Sequence, residues 1–181
     1  SDNAFYGCSS LTSITIPEGV TSIESYTFYG CSRLTTITIP QGVTSIGQFA
    51  FKGCCSLTSI TIPQGVTDIE WATFEDCSSL TSITIPNSVT KIGESGFGGC
   101  SSLTSITIPK SVTEISNDAF NSCSSLKNVV VSNKYCYDYF KESGISNIIV
   151  AVSNIEQYEE CKNQGITDII FNGSNASADG R

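Results

Sequence analysis

The 181-residue chain has no histidine and no methionine, a single tryptophan, five prolines, and charged side chains at only 14% of its positions. Without histidine there is no Ser–His or Cys–His pair to activate a nucleophile. The usual nitrogen ligand of zinc is missing too, and no Cys-x-x-Cys takes its place. No glycine-rich loop follows a strand to cradle a phosphate. Basic residues are scarce, 9 against 17 acidic ones, so the net charge is −8 and the pI near 4.4. That balance excludes nucleic acid and anionic membrane surfaces as main partners. No apolar run reaches the ~18 residues of a membrane helix. The acidic group Asp68, Glu70, Glu75 and Asp76 lacks the alternating spacing of a calcium loop and reads as a solvated patch. The residues thus predict no catalysis, no cofactor, no metal and no membrane insertion.

What is present is repetition. Leu11-Thr-Ser-Ile-Thr-Ile-Pro17 returns as Leu34–Pro40, Leu57–Pro63, Leu80–Pro86 and Leu103–Pro109, each time 23 residues on, and a worn copy stands at Leu126–Val131. A fixed period of this length is the mark of a solenoid. One period is written from Cys31 to Gly53. Leu34, Ile37 and Ile39 face inward and Thr38 outward, by strand alternation. Pro40 ends the strand because it has no N–H to give a neighbouring coil. Pro40-Gln-Gly42 is a turn, and Val43–Ile46 a second short strand. Gly47–Gly53 predicts a tight turn or single helical turn carrying Phe51 inward. A lone coil of this kind buries too little to stand by itself, so stability must come from stacking on neighbours.

Cys8, Cys31, Cys54, Cys77, Cys100 and Cys123 share one repeat position, as do Phe5, Phe28, Phe51, Phe74, Phe97 and Phe120. Stacked coils place equivalent residues about 4.8 Å apart, within disulfide reach, but their side chains run parallel. A buried ladder of reduced thiols is therefore expected, each packing as a small apolar residue. Two surfaces compete as partner-binding sites. One is the outward hydroxyl lattice, with the column Thr15, Thr38, Thr61, Thr84 and Thr107. It suits a half-exposed strand and also resembles the threonine arrays of ice-binding solenoids. The other lies where the copies differ, with aromatics gathered toward the N-terminal coils: Tyr6, Tyr26, Tyr29, Phe49 and Trp71. Aromatic side chains are the usual anchors of protein interfaces.

After Val131 the pattern changes. Residues 133–143 predict a helix with Cys136, Tyr139 and Phe140 on one face and Gly144 beyond its end. Ile148–Val152 reads as a strand. Asn154 caps a helix with Gln157 three residues later, carrying Ile155, Tyr158 and Cys161 inward to a stop at Gly165. Ile169–Phe171 reads as the last strand. Three segments are thus expected: repeats over 1–131, strand–helix units over 132–171 that continue or cap the stack, and a disordered tail over 172–181. Ser1–Cys8 matches the second half of a period, so the chain reads as starting mid-repeat.

The pattern Leu-x-x-Ile-x-Ile with an upstream Cys resembles the leucine-rich repeat family. The fuller string Val43–Pro63 resembles its BspA-like branch, with Cys55 where Ser is usual. The resemblance covers about residues 1–131, and the units at 132–171 resemble leucine-rich repeats more loosely. It implies an α/β fold, mostly β by content: a right-handed solenoid with a parallel sheet on the concave side and helical C-terminal units. It also implies a secreted or cell-surface module of a host-associated microbe that binds a protein or cell-surface ligand. Unpaired thiols favour an alternative, an intracellular scaffold, and the threonine lattice keeps an ice-binding role in view. The exposed edge of the first coil makes end-to-end self-association an expectation as well.

Overall fold

A computed structural model describes residues 3–145 and 147–171. Each coil contributes two short strands, one on either side of its proline turn. They are β1 (Ser13–Thr15) and β2 (Ser22–Ile23), β3 (Thr36–Thr38) and β4 (Ser45–Ile46), β5 (Ser59–Thr61) and β6 (Asp68–Ile69). Next come β7 (Ser82–Thr84) and β8 (Lys91–Ile92), β9 (Ser105–Thr107) and β10 (Glu114–Ile115), and then β11 (Asn128–Val131). All pairings are parallel and in register with the repeat: Ser13 faces Thr36, Ser59 faces Ser82, and Asp68, Lys91 and Glu114 line up in turn. The coils therefore stack as a solenoid, with two strand columns on separate sides.

The alternation read from the sequence explains the core. In β3, β5, β7 and β9 the central Ile is buried between two exposed residues. Leu34, Leu57, Leu80 and Leu103 are fully buried, as are Phe51, Phe74 and Phe97. The phenyl rings form one continuous stack from Phe5 to Phe120, with centroids 5.2–5.5 Å apart and planes within 15°. Offset-stacked rings at this spacing add to what burial alone contributes.

The third side of the coil differs from the single helical turn the sequence allowed. It is a chain of turns whose amides alternate in partner. Thr27, Tyr29 and Cys31 donate back to the carbonyls of Glu24, Tyr26 and Phe28, while Tyr26, Phe28 and Gly30 donate across to Gln48, Ala50 and Lys52 of the next coil. A helix would consume every amide locally and leave none for the stack. Left-handed residues prevent it, two in each coil up to Gly99 and one, Ser122, in the last. One column is Asn3, Tyr26, Phe49, Ala72 and Ser95, and the other is Gly7, Gly30, Gly53, Asp76, Gly99 and Ser122, with φ between 50° and 74° throughout. Glycine fits the second column because it has no Cβ to oppose that conformation.

The C-terminal units extend the first strand column beyond β11. Helix α1 (Lys134–Glu142) is capped by Asn133, whose side chain accepts from the Cys136 N–H, and Gly144 follows with φ 79°. Cys136 and Phe140 are buried and Tyr139 half-buried. Tyr135 closes the edge of β10: its hydroxyl accepts from Ile115 N–H at 2.8 Å and donates to Ile115 C=O at 3.2 Å. Strand β12 (Asn147–Val152) pairs with β11, and β13 (Ile169–Phe171) pairs with β12. Between them lies helix α2 (Ile155–Asn163), capped by Asn154. Here the expectation of an inward face needs correcting. No residue of α2 is buried, Ile155 is 65% exposed, and Tyr158 and Cys161 are only half-covered. Nothing among the described residues stacks beyond α2 to cover that side. The tail expected over 172–181 lies outside the described residues.

Candidate functional site

The thiol column is set by the turn ladder. Cys54, Cys77 and Cys100 donate their S–H groups to the carbonyls of Phe28, Phe51 and Phe74 in the preceding coil, each at 3.2 Å, and Cys123 does so to Phe97 at 3.0 Å. Each sulfur thus points at a backbone oxygen and not at the next sulfur, and all nine cysteines are free thiols. Burial pushes the Cys31 thiol up to about 11 and Cys54 to about 12, and raises Cys77 and Cys100 strongly. These groups stay protonated, which removes their nucleophilicity. The column is incomplete at its ends. Cys123 is half-buried, and Cys8 is exposed, against the expectation of six buried thiols, because no described coil packs on its outer side. Cys55 is exposed as well, and Cys161 partly so.

The threonines at 15, 38, 61, 84 and 107 are all exposed on the first strand column. The neighbouring column is tied into the stack, since the Thr35 and Thr81 hydroxyls donate to the Thr12 and Thr58 carbonyls at 3.1 and 3.2 Å. This face is smooth and hydroxyl-bearing, with no apolar anchor.

The turn side is different. Tyr6 and Tyr29 are equivalent residues of successive coils and stack with centroids 4.8 Å apart and planes 3° from parallel. Tyr26 and Phe49 stack likewise at 4.8 Å, and Phe49 meets the Trp71 indole edge-on at 4.6 Å. Tyr26 lies 5.9 Å from Tyr29 and joins the two rows. All five aromatics singled out from the sequence therefore come together in one patch across four coils. Tyr6 is 54% and Trp71 46% exposed, while Tyr26, Tyr29 and Phe49 are half-buried between them. Tyr26 and Phe49 hold φ near 59° and 58°, a region bulky residues rarely occupy. The ladder imposes that backbone, and it aims both rings outward.

Sequence reasoning missed the polar rim. Lys52 Nζ bonds Glu75 at 2.5 Å and sits 5.7 Å from the Phe49 ring centre, a cation–π contact. The signal was present, because Tyr6, Tyr29, Lys52 and Glu75 occupy one repeat column and must touch in sequence. Among the described residues no group of His, Cys, Asp or Glu gathers to hold a metal, and no helix is long and apolar enough to cross a membrane.

The BspA type leucine-rich repeat region, in six copies, matches residues 1–127 and again 45–177. The chain belongs to the BspA-type leucine-rich repeat family. As a BspA-type chain it is a repeat module of the protein-binding kind, built on a binding scaffold. Solved relatives agree with the fold. A leucine-rich repeat protein from Bacteroides ovatus is 40% identical with a TM-score of 0.62, over 65% of this chain and 33% of that one. The T. pallidum leucine-rich repeat protein TpLRR is 25% identical with a TM-score of 0.66, over 90% of this chain and 87% of that one. The pneumococcal vaccine antigen PcpA, 19% identical, shares the fold at a TM-score of 0.59 over 88% of this chain and 41% of that one. This BspA-type chain thus spans about a third of the Bacteroides ovatus protein. A search of curated proteins finds no significant match.

Proposed function

We propose that this chain is an adhesion module that recognises a protein at the cell surface through the aromatic patch of its turn side. The observation that carries the reading is the gathering of Tyr6, Tyr26, Tyr29, Phe49 and Trp71 into one surface cluster, exposed at Tyr6 and Trp71, beside the Lys52–Glu75 pair. Contiguous exposed aromatic surface rimmed by polar groups is the usual make-up of a protein-binding site. Rings already held by stacking lose little freedom on binding. The strand side offers only threonine and serine hydroxyls, which supply no anchor.

The runner-up, an intracellular scaffold, rested on unpaired thiols. Their bonds to carbonyls and raised pKa values make most of them inert, so a free thiol column fits an oxidising environment too. Kinship with the family supports extracellular placement on a host-associated microbe, and the strand–helix units over 132–171 act as the closing cap of the array in this reading.

The test is capture of immobilised extracellular-matrix proteins by the chain, Trp71→Ala and Thr61→Lys. Binding weakened at least about tenfold in Trp71→Ala and unchanged in Thr61→Lys supports the patch, since interface aromatics commonly carry ~2 kcal/mol or more. The opposite ordering moves the site to the threonine face. Thermal hysteresis in a cooled solution would instead favour the ice-binding reading.

A further inference from the structure

In every coil up to Gly99 the turn side passes alternate amides forward. Phe28, Phe51, Phe74 and Phe97 N–H donate to the carbonyls of Ala50, Thr73, Gly96 and Ala119 at 2.8–2.9 Å. Gly30, Gly53, Asp76 and Gly99 donate to Lys52, Glu75, Gly98 and Asn121 at 2.8 Å. The next donors in the two series are Phe120 and Ser122, and at that point helix α1 replaces the turn segment of a further coil. The helix serves the groups it reaches. Asn133 donates its side-chain amide to Val112 C=O at 2.9 Å, Tyr135 closes β10, and the Tyr139 hydroxyl donates to Asn117 C=O at 3.4 Å. It then leaves the turn segment behind. Among the described residues no backbone carbonyl accepts from Phe120 or Ser122 N–H, and the Tyr139 hydroxyl alone sits against the Phe120 amide, where an entering carbonyl would take its place.

Equivalent amides point along the stack toward the following coil. On that side a groove of about 450 Å³ separates the turn segment 117–126 from the C-terminal half of α1, with Tyr139, Ser143 and Ile145 as its far wall. We propose that this groove receives an extended segment of a partner protein, whose alternate carbonyls accept from Phe120 and Ser122. Strand-like addition to an open edge is a recurrent mode of peptide recognition, and the molecule performs it on itself at every earlier coil.

Two features narrow the occupant. The residue between the two accepting carbonyls is Phe in the coils, but Phe140 already holds that place, 5.2 Å from the Phe120 ring. The entering segment therefore carries a small residue there. Asp118 lines the same groove, which disfavours an anion and favours neutral carbonyls with a basic flank. This site stands apart from the aromatic patch and does not depend on it.

The experiment uses the ¹⁵N-labelled chain and a capped peptide copying residues 47–53 with alanine in place of Phe51. In the free protein the Phe120 and Ser122 amides should exchange at least about 100-fold faster than Phe97 and Gly99, because only the latter are bonded to carbonyls of a following coil. Adding peptide should shift and slow those two amides. Ser143→Trp, an exposed position on the groove wall, should abolish the response, as should Ser124→Trp on the opposite wall. Trp71→Ala should leave it intact. Protection of both amides in the free chain, no change at millimolar peptide, or a response surviving both tryptophan variants would overturn the proposal while leaving the aromatic patch standing.

Discussion

Truncating one ring in the middle of the phenylalanine stack tests how the coils hold one another. Phe74 has no exposed surface and lies 5.5 Å from both Phe51 and Phe97, 8° from parallel with each. Phe→Ala in a close-packed core costs about 3–5 kcal/mol. Two aromatic pairs lost at once, each worth roughly 0.5–1.5 kcal/mol beyond burial, place Phe74→Ala at the upper end of that range. Phe5 is chemically identical but half-buried, with one ring partner at 5.3 Å. Its truncation should cost about 1–2 kcal/mol, scaled from the same series by its lower burial. Urea unfolding followed by circular dichroism gives both losses, and the single Trp71 supplies an independent fluorescence signal from the central coils. Equal losses for the two variants, or losses below about 1 kcal/mol for both, would refute nearest-neighbour stacking as the source of stability.

Other consequences are as direct. Cys77→Ala removes one S–H bond to Phe51 C=O, which keeps its bond from Cys54 N–H, so a loss of about 1 kcal/mol is expected. Cys77→Ser should cost at least as much in thermal unfolding, because a more polar group enters the same apolar site. The buried thiols also set an alkaline limit. Their folded pKa values are raised, that of Cys54 from 9.0 to about 12, so the unfolded chain loses protons first as pH rises. Stability measured by denaturant should be flat below pH 9 and fall between 9 and 12, and Cys54→Ala should flatten that fall. Ser122 occupies a left-handed position, φ 60°, that Gly7, Gly30, Gly53 and Gly99 fill in other coils. Ser122→Gly should raise stability by about 0.5–1 kcal/mol in the same assay.

Much of this was legible because a column of identical residues implies identical surroundings. The leucine, isoleucine and phenylalanine columns announced the core, the prolines marked the strand ends, and the cysteine spacing argued against disulfides before any distance was known. The aromatic residues were legible as a set, since Tyr6 with Tyr29 and Tyr26 with Phe49 are repeat equivalents that stacking must bring together. The repeat failed as a guide where a residue has a neighbour on one side only. Cys8 and Ile155 are exposed for that reason, although their residue types suit a core. The alternating amides were hidden for another cause: they depend on backbone dihedrals at Tyr26 and Phe49, residues whose side chains do not advertise a left-handed conformation. The donors at Phe120 and Ser122, which have no backbone acceptor, follow from that ladder and were invisible with it.

The central claim is that equivalent coils hold each other in register at 23-residue intervals. Deleting residues 77–99 removes one period and joins Asp76 to Cys100, restoring the same neighbours one coil shorter. Cooperative unfolding with a β-rich circular dichroism spectrum is expected for that deletion, and loss of both for deletion of 77–97, which breaks the register. If the two deletions unfold alike, the stacked-coil account is wrong.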